Sequence, residues 1–277
     1  MSDIDPSELE DPIDSATTFA TKVRESLHVR GSGQILLGVA WTTDEMQRLY
    51  SQFPEFICSD VTHKSNQEKR PLLLVCGKDS SNRSFAHTSA FLPSESKWSF
   101  QWFFDKAFPA LHSRYSGTLN RTQLCVTDED RQAYETISSL CGTGPSTQFF
   151  SMKHMLCGFH KLNRNFTQHK DFRPYIDMEK DPSGAIEFDM ITRWLWQFLT
   201  VYETKDEADH SLHLLNTYLT EGDKDHHGHM GSHLKEAVIN FISKSFVPLR
   251  SRIFFHEFLD RQTFDNKTSS VSEIENR

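Results

Sequence analysis

Between residues 56 and 128, apolar runs separated by polar stretches predict three strands, a helix and a fourth strand. The first run is Phe56–Asp60 and the last is Gln123–Asp128, and each is a short apolar segment that ends on an aspartate. The runs at 70–77 and 84–92 have the length and composition of strands, and the first of them is apolar on both faces, as an interior strand should be. The short polar stretch between those two runs predicts a hairpin.

The pattern from residue 97 to residue 156 predicts two helices and a fifth strand. Between 97 and 111, aromatic residues recur at helical spacing, so we expect them to be core residues of a crossover helix and not a base-stacking platform. An amphipathic pattern at 131–140 predicts another helix, and the apolar stretch at 147–156 predicts strand five. The expected fold class is α/β, with a mixed five-stranded sheet flanked by helices.

Outside this region the patterns are mostly helical. Thr43 is a plausible N-cap for a short helix, and an apolar run at 34–41 precedes it. Beyond residue 166, long helical patterns predict an all-helical insertion. The predicted organisation is a disordered acidic tail at 1–17, a helical and extended lead-in at 18–54, an α/β core at 55–165, a helical insertion at 166–264, and the start of a C-terminal helix at 265–277.

Composition limits the classes of function. The formal net charge is -8, from 30 Lys+Arg against 38 Asp+Glu. This sign is wrong for bulk attraction to nucleic acid, so any contact with nucleic acid must be local. Five cysteines lie mostly in apolar runs without the spacing of a disulfide framework, which favours a reducing compartment. No basic-then-apolar leader and no membrane-length apolar run is present, so we expect neither secretion nor a membrane span.

The two strand-end aspartates, Asp60 and Asp128, are the main candidate site residues. If their strands pair in parallel, the backbones are about 4.8 Å apart, and both carboxylates can reach one divalent ion or a pair of ions. An aspartate at the end of a strand is more often a turn or cap residue, so neither is decisive alone. Asp130 competes with Asp128, but it lies where a helix-starting acid is expected, so Asp128 is favoured.

Several ordered motifs resemble Mutator-like element (MULE) transposases. These motifs are Asp60-Val61-Thr62-His63-Lys64-Ser65-Asn66, Pro71-Leu72-Leu73, Glu95 to Phe104, Val126-Thr127-Asp128 and Cys157-Gly158-Phe159-His160. The resemblance runs from about Trp41 to the C-terminus, and the last motif matches the Cys-x-x-His motif of the family. It implies a ribonuclease H-like fold, a DDE carboxylate triad, DNA as partner, DNA transposition and recombination as activity, and a nuclear location. Self-association is expected from the resemblance only.

The resemblance also implies a third carboxylate, Glu273, after a helical insertion. The predicted catalytic and metal-binding residues are therefore Asp60, Asp128 and Glu273, with Mg²⁺ or Mn²⁺ as the expected cofactor. The chain ends at Arg277, four residues after Glu273. Because family members usually continue past this point and a one-turn helix is marginal in water, the alternative expectation is a catalytically impaired domain with a poorly placed Glu273.

Other interpretations stay open at this point. Cys157 and His160 are half of a zinc site or a packing pair. The histidine-rich segment at 225–233 is better explained as a solvated loop than as a metal site. Lys153, Lys161 and Arg164 either contact phosphate or lie on a solvated surface. The function is alternatively that of an inert transposase-derived domain that associates with DNA or protein, or of an unrelated nuclease acting on RNA or hybrids.

Overall fold

The structure is a computed structural model. It describes residues 21, 36–62, 66, 69–115, 117–141, 149, 151–158, 160–168, 172, 182–221 and 232–258. The described residues divide into two compact units, one ending at His154 and the other beginning at Met155. The predicted domain boundaries stay predictions.

In the described part of the chain, a six-stranded mixed sheet organises the first unit, and its last strand ends at Leu156, just past the unit boundary. Its strands, in the order β1-β4-β3-β2-β5-β6, are β1 (Val39–Trp41), β4 (Ser84–Phe91), β3 (Leu72–Lys78), β2 (Phe56–Thr62), β5 (Leu124–Thr127) and β6 (Lys153–Leu156). The pairs β1–β4, β4–β3 and β3–β2 are antiparallel, whereas β2 and β5 are parallel. The parallel pairing of the two aspartate-bearing strands, on which a shared cation site depends, is therefore present.

The predicted number of five strands is wrong, because the lead-in contributes a sixth. Val39, Ala40 and Trp41 pair with Phe91, Ala90 and Ser89 at one edge of the sheet. This pairing joins residues about fifty positions apart, so no local pattern announces it. The last predicted strand is also shorter than expected, since its described part covers Lys153–Leu156.

The hairpin between β3 and β4 forms as predicted. Asp79 accepts the backbone N–H groups of Ser81 and Arg83, both at 2.9 Å, and Asn82 has a φ of 61°. Asparagine tolerates this left-handed conformation, which closes the turn. Farther along the pair, Val75 pairs with Thr88 and Cys76 with Ala86, so His87 is the extra residue of a β-bulge.

Helices flank this sheet. Helix α1 (Asp44–Gln52) begins after Thr43, whose hydroxyl accepts the N–H of Met46 at 3.2 Å, as a helix cap does. The predicted crossover helix is continuous but mixed, with α2 (Lys97–Gln101), a π-helical stretch (Trp102–Ala107) and α3 (Phe108–Leu111). Helix α4 (Arg131–Leu140) has the predicted bounds and packs against α2.

Aromatic side chains from the crossover helix fill the core of the first unit. Phe100, Phe103, Phe104 and Phe108 are almost fully buried, together with strand residues such as Val75. Their burial confirms that the aromatic pattern belongs to the core. A side chain of this size stabilises the fold by about 1.5–3 kcal/mol when buried.

Beyond the end of β6 at Leu156, the second unit is helical in its described part. It contains a π-helix (His160–Phe166), α5 (Pro182–Thr200), α6 (Lys205–Glu221), α7 (Ser232–Phe241), a further π-helical stretch (Ile242–Phe246) and α8 (Arg250–Ile253). Phe166, Phe172, Phe188 and Phe241 form an aromatic cluster in it. Among the described residues, no helix has both the length and the apolar character that a bilayer crossing requires.

Candidate functional site

The parallel pair β2–β5 carries both predicted aspartates. Its ladder ends where Ser59 pairs with Thr127, and Asp60 and Asp128 are the next residues on the two segments. One detail of the prediction is wrong, because Asp60 does not end its strand. The antiparallel partner β3 continues past it, pairing Asp60 with Leu74 and extending β2 to Thr62.

A cavity of about 250 Å³ brings the two aspartates to one place. The residues that line it are Ser59, Asp60, Val61, Glu95, Phe100, Thr127, Asp128, Asp130 and Ala133. All of them belong to the first unit. Four of the nine side chains are carboxylates, so the lining is strongly acidic. Such a site favours a cation and repels an uncompensated phosphate.

Glu95 is a lining residue to which the sequence reasoning gave no role. It lies just before α2 and is half-buried. Its position opens the Glu95–Phe104 motif, so the signal was present in the sequence. From the sequence alone the motif indicates only a family resemblance, because nothing local reveals that a residue before a helix lines a cavity with the end of a distant strand.

Asp130 has the capping role predicted for it. Its Oδ1 accepts the N–H of Ala133 at 2.9 Å, which caps the N-terminus of α4. The backbone N–H of Asp130 in turn donates to Oδ1 of Asp128 at 3.1 Å. The turn that follows β5 is thus fixed by two successive carboxylate–amide bonds, and Asp128 is held between the strand and the helix.

His154 lies behind this turn and was not singled out from the sequence. Its Nε2 is 2.8 Å from Oγ1 of Thr127, and its Nδ1 is 2.9 Å from Oγ of Ser138 on α4. The Thr127 hydroxyl donates to the backbone carbonyl of Asp128 at 2.9 Å. Because the single proton of the Thr127 hydroxyl is directed to Asp128, Nε2 of His154 donates to Thr127, and in the neutral imidazole Nδ1 then accepts from Ser138. Both Thr127 and His154 are buried.

None of the other predicted site residues in the described part of the chain lines this cavity. Glu273 lies outside the described residues, so its role stays a prediction. The same holds for residues 225–231 of the histidine-rich segment, whereas position 233 lies in α7. Cys157 and His160 are both buried and belong to the second unit. Lys161 is also buried, with Nζ 5.5 Å from the ring centroid of Phe241, so neither a solvated surface nor an open phosphate contact describes it.

The chemistry of the cavity fits a divalent cation of the Mg²⁺ type. Mg²⁺ prefers oxygen ligands and is commonly held by one or two carboxylates, with water and substrate phosphate completing the shell. Asp60 and Asp128 supply that number. Within the described part of the chain, no group of three or more His, Cys, Asp or Glu side chains is arranged to hold a metal ion. A three-carboxylate shell would therefore need a ligand from outside this part.

The structure defines an α/β protein with an acidic cavity at the ends of a central parallel strand pair. The family model of the MULE transposase domain matches residues 56–164. The resemblance predicted from the motifs is confirmed over this range, which is similar to a MULE transposase domain and includes Asp60, Glu95, Asp128, Cys157 and His160. A search of curated proteins found no match to this chain.

Proposed function

We propose that this chain carries the catalytic part of a Mutator-like DDE transposase, which cleaves and joins DNA strands with Mg²⁺ or Mn²⁺. The observation that supports the proposal is the shared cavity of Asp60 and Asp128 inside the region that matches the MULE transposase domain. The ribonuclease H-like character of the fold, the DNA partner and a nuclear location belong to the same proposal.

In this proposal the protein contributes position and charge. Asp60 and Asp128 hold the cation, and Glu273 is the third ligand. When bound, Mg²⁺ supplies positive charge at the scissile phosphate and makes a water or a DNA 3′-hydroxyl a better nucleophile. In cleavage, the water oxygen bonds to phosphorus, the bond from phosphorus to the 3′ oxygen breaks, and that oxygen takes a proton. In strand transfer, the freed 3′-hydroxyl attacks a phosphate of the target strand in the same way.

The net charge of -8 is compatible with this chemistry because the cation neutralises the cavity locally. Without the cation, the cavity carboxylates repel the phosphate backbone. Productive DNA contact is therefore expected to require divalent metal more strictly than DNA binding through a basic surface would.

The test is Mg²⁺-dependent nicking of supercoiled DNA by the full chain, compared with Asp60→Asn and Asp128→Asn. Glu129→Gln is a matched control, because it removes a carboxylate next to Asp128 that does not line the cavity. We expect nicking by the wild type and by Glu129→Gln, and loss in both aspartate variants. Equal nicking by all four proteins would refute the proposal. Parallel reactions on RNA and on RNA–DNA hybrids would identify a nuclease of another substrate class.

A second candidate is a catalytically inert domain derived from a transposase, acting through association with DNA or protein. The observation that favours it is the lack of a three-ligand metal group among the residues that the structure describes. The two candidates differ in the role of divalent metal. The enzyme binds Mn²⁺ at the cavity, and Asp60→Asn weakens that binding. The inert domain binds DNA or protein equally well with and without divalent metal.

A further inference from the structure

We propose that Ser138, His154 and Thr127 form a positioning chain that holds Asp128 in the geometry needed to bind the cation. The proposal rests on the proposed function, since it assigns a role to residues behind the same site. His154 is thus a positioning residue and not a catalytic one, because its bonds reach the site through Thr127.

The direction of each hydrogen bond in the chain follows from the number of protons. Ser138 donates to Nδ1 of His154, Nε2 of His154 donates to Thr127, and Thr127 donates to the carbonyl of Asp128, with distances of 2.9, 2.8 and 2.9 Å. This order uses the neutral imidazole and gives each hydroxyl proton one acceptor. The chain therefore ends on the peptide unit that follows the Asp128 side chain.

The Asp128 residue is then held from two sides. Its backbone carbonyl accepts from Thr127, and its Oδ1 accepts from the N–H of Asp130 at 3.1 Å. Asp130 is itself fixed by its cap bond to α4, and Ser138 lies on the same helix. His154 consequently joins the end of β5 to the last turn of α4, so that strand and helix cannot shift against each other without breaking one of these bonds.

Burial gives the chain its effect on geometry. The exposed fractions are 1 % for Thr127 and 9 % for His154, so water cannot easily replace a lost bond. Thr127 also lines the cavity, and a shift of its backbone moves the neighbouring carboxylate directly. Removing a group that orients a metal ligand in this way typically lowers the affinity for the metal about 10- to 100-fold.

The same domain contains a matched control for this arrangement. Oγ1 of Thr88 is 2.7 Å from Nε2 of His112 and donates to the carbonyl of His87 at 2.7 Å. Thr88 is fully buried like Thr127, but it does not line the cavity. Thr88→Val therefore removes the same kind of hydroxyl as Thr127→Val, in the same unit, without touching the site.

The experiment is a titration of the full chain with Mn²⁺ alone, with free Mn²⁺ measured by electron paramagnetic resonance. Relative to the wild type, we expect Thr127→Val to raise the Kd for Mn²⁺ about tenfold. Thr127→Ser keeps the hydroxyl and is expected to restore affinity to within about threefold, and Thr88→Val to leave it within about twofold. Thermal unfolding of each variant reports its folded fraction, by which the Kd is corrected.

Thr127→Val leaves the imidazole N–H of His154 without its partner, and the variant could fail to fold. Ser138→Ala is the second variant, because Ser138 is on a helix and alanine suits a helix well. It is expected to raise the Kd about threefold, whereas Ser139→Ala, one position farther along, is expected to leave it unchanged.

The outcomes separate the two proposals. If Asp128→Asn binds Mn²⁺ as tightly as the wild type, the metal site is wrong and the positioning chain falls with it. If Asp128→Asn weakens binding but Thr127→Val and Ser138→Ala behave like their controls, the metal site stands and the positioning chain alone is refuted.

Discussion

Two buried threonines of the first unit, Thr127 and Thr88, make the same pair of bonds in different places. Each hydroxyl donates to a backbone carbonyl and lies within 2.8 Å of Nε2 of a buried histidine. The Thr127 pair lies at the acidic cavity, whereas the Thr88 pair lies away from it, beside the β-bulge at His87. The hydrogen-bonding pattern of a buried threonine therefore does not by itself reveal a functional role. Its location does, because a broken bond disturbs only the groups nearby.

The two histidines also differ in how fully they are bonded. Nδ1 of His154 has Ser138 as partner, whereas Nδ1 of His112 is buried and, in the described part of the chain, has no hydrogen-bond partner. His112 packs instead among aromatic rings, with the Tyr50 and Phe108 ring centroids both 4.8 Å away. Burial lowers the pKa of His112 to about 4 and lowers that of His87 well below its ordinary value.

The largest expected effects are opposite in two variants: the cavity variant Asp128→Asn loses activity and the core variant Thr88→Val loses stability. Asp128→Asn should lower metal-dependent nicking by at least about 100-fold and change the free energy of unfolding by less than about 0.5 kcal/mol. Thr88→Val should do the reverse, with nicking within about twofold of wild type and a loss of about 1–3 kcal/mol, because the His112 N–H is left unpaired. Nicking rates and urea unfolding at pH 7.5 measure both. If both variants lost nicking activity and unfolding free energy to the same extent, the cavity and the core would not have the separate roles proposed for them.

The next effect concerns pH and the core histidines. The pKa of His112 is lower in the folded chain than in the unfolded chain, so the unfolded chain binds more protons between about pH 6.5 and pH 4. The contribution of His112 to the free energy of unfolding is therefore fully present above pH 6.5 and is lost as the pH drops below it. This loss is about 2 kcal/mol between pH 7.5 and pH 5.

His112→Gln measures that contribution, because groups common to both proteins cancel in the difference. The variant should lose less stability than the wild type over the same pH interval in urea unfolding. An equal pH dependence in the two proteins would mean that His112 is not buried as a neutral imidazole.

A smaller effect is expected at Glu95, the cavity carboxylate without an assigned role in the sequence analysis. Glu95→Gln removes one negative charge from the lining and should weaken Mn²⁺ binding about tenfold. Glu129→Gln, which removes a carboxylate outside the lining, should change it by less than about twofold. If both variants bind equally, the cavity does not concentrate the charge that attracts the cation.

The smallest effect is expected for Tyr50→Phe in the core. The hydroxyl of Tyr50 is 2.7 Å from Oγ1 of Thr122, and both side chains are fully buried. Its removal should cost about 1 kcal/mol of unfolding free energy and leave the Kd for Mn²⁺ unchanged. A change in metal affinity would show that the core cluster and the cavity are coupled, contrary to the comparison.

The elements that were predictable from the sequence are those with local signals. Apolar runs predicted β2, β3, β4 and β5, and the cap residues Thr43 and Asp130 predicted where two helices begin. The two aspartates were expected to share a site only if their strands pair in parallel, and β2 and β5 pair in this way. Their common cavity is a consequence of that pairing.

The elements that were missed depend on pairing between distant segments. The edge strand β1 is only three residues long, and its partner is β4. The role of His154 arises because β6 lies beside β5 in the sheet and Ser138 of α4 lies 2.9 Å from Nδ1 of His154. No spacing in the sequence encodes this arrangement. The extension of β2 past Asp60 has the same cause, since the partner strand β3 sets its length.

The most direct test of the central claim is a crystal structure of the chain in Mn²⁺, recorded at a wavelength where Mn²⁺ scatters anomalously. We expect an anomalous peak within about 2.5 Å of a carboxylate oxygen of Asp60 and of one of Asp128. A peak bound elsewhere, or the two aspartates facing an ordered solvent site that Mn²⁺ does not enter, would contradict the claim that they share a cation.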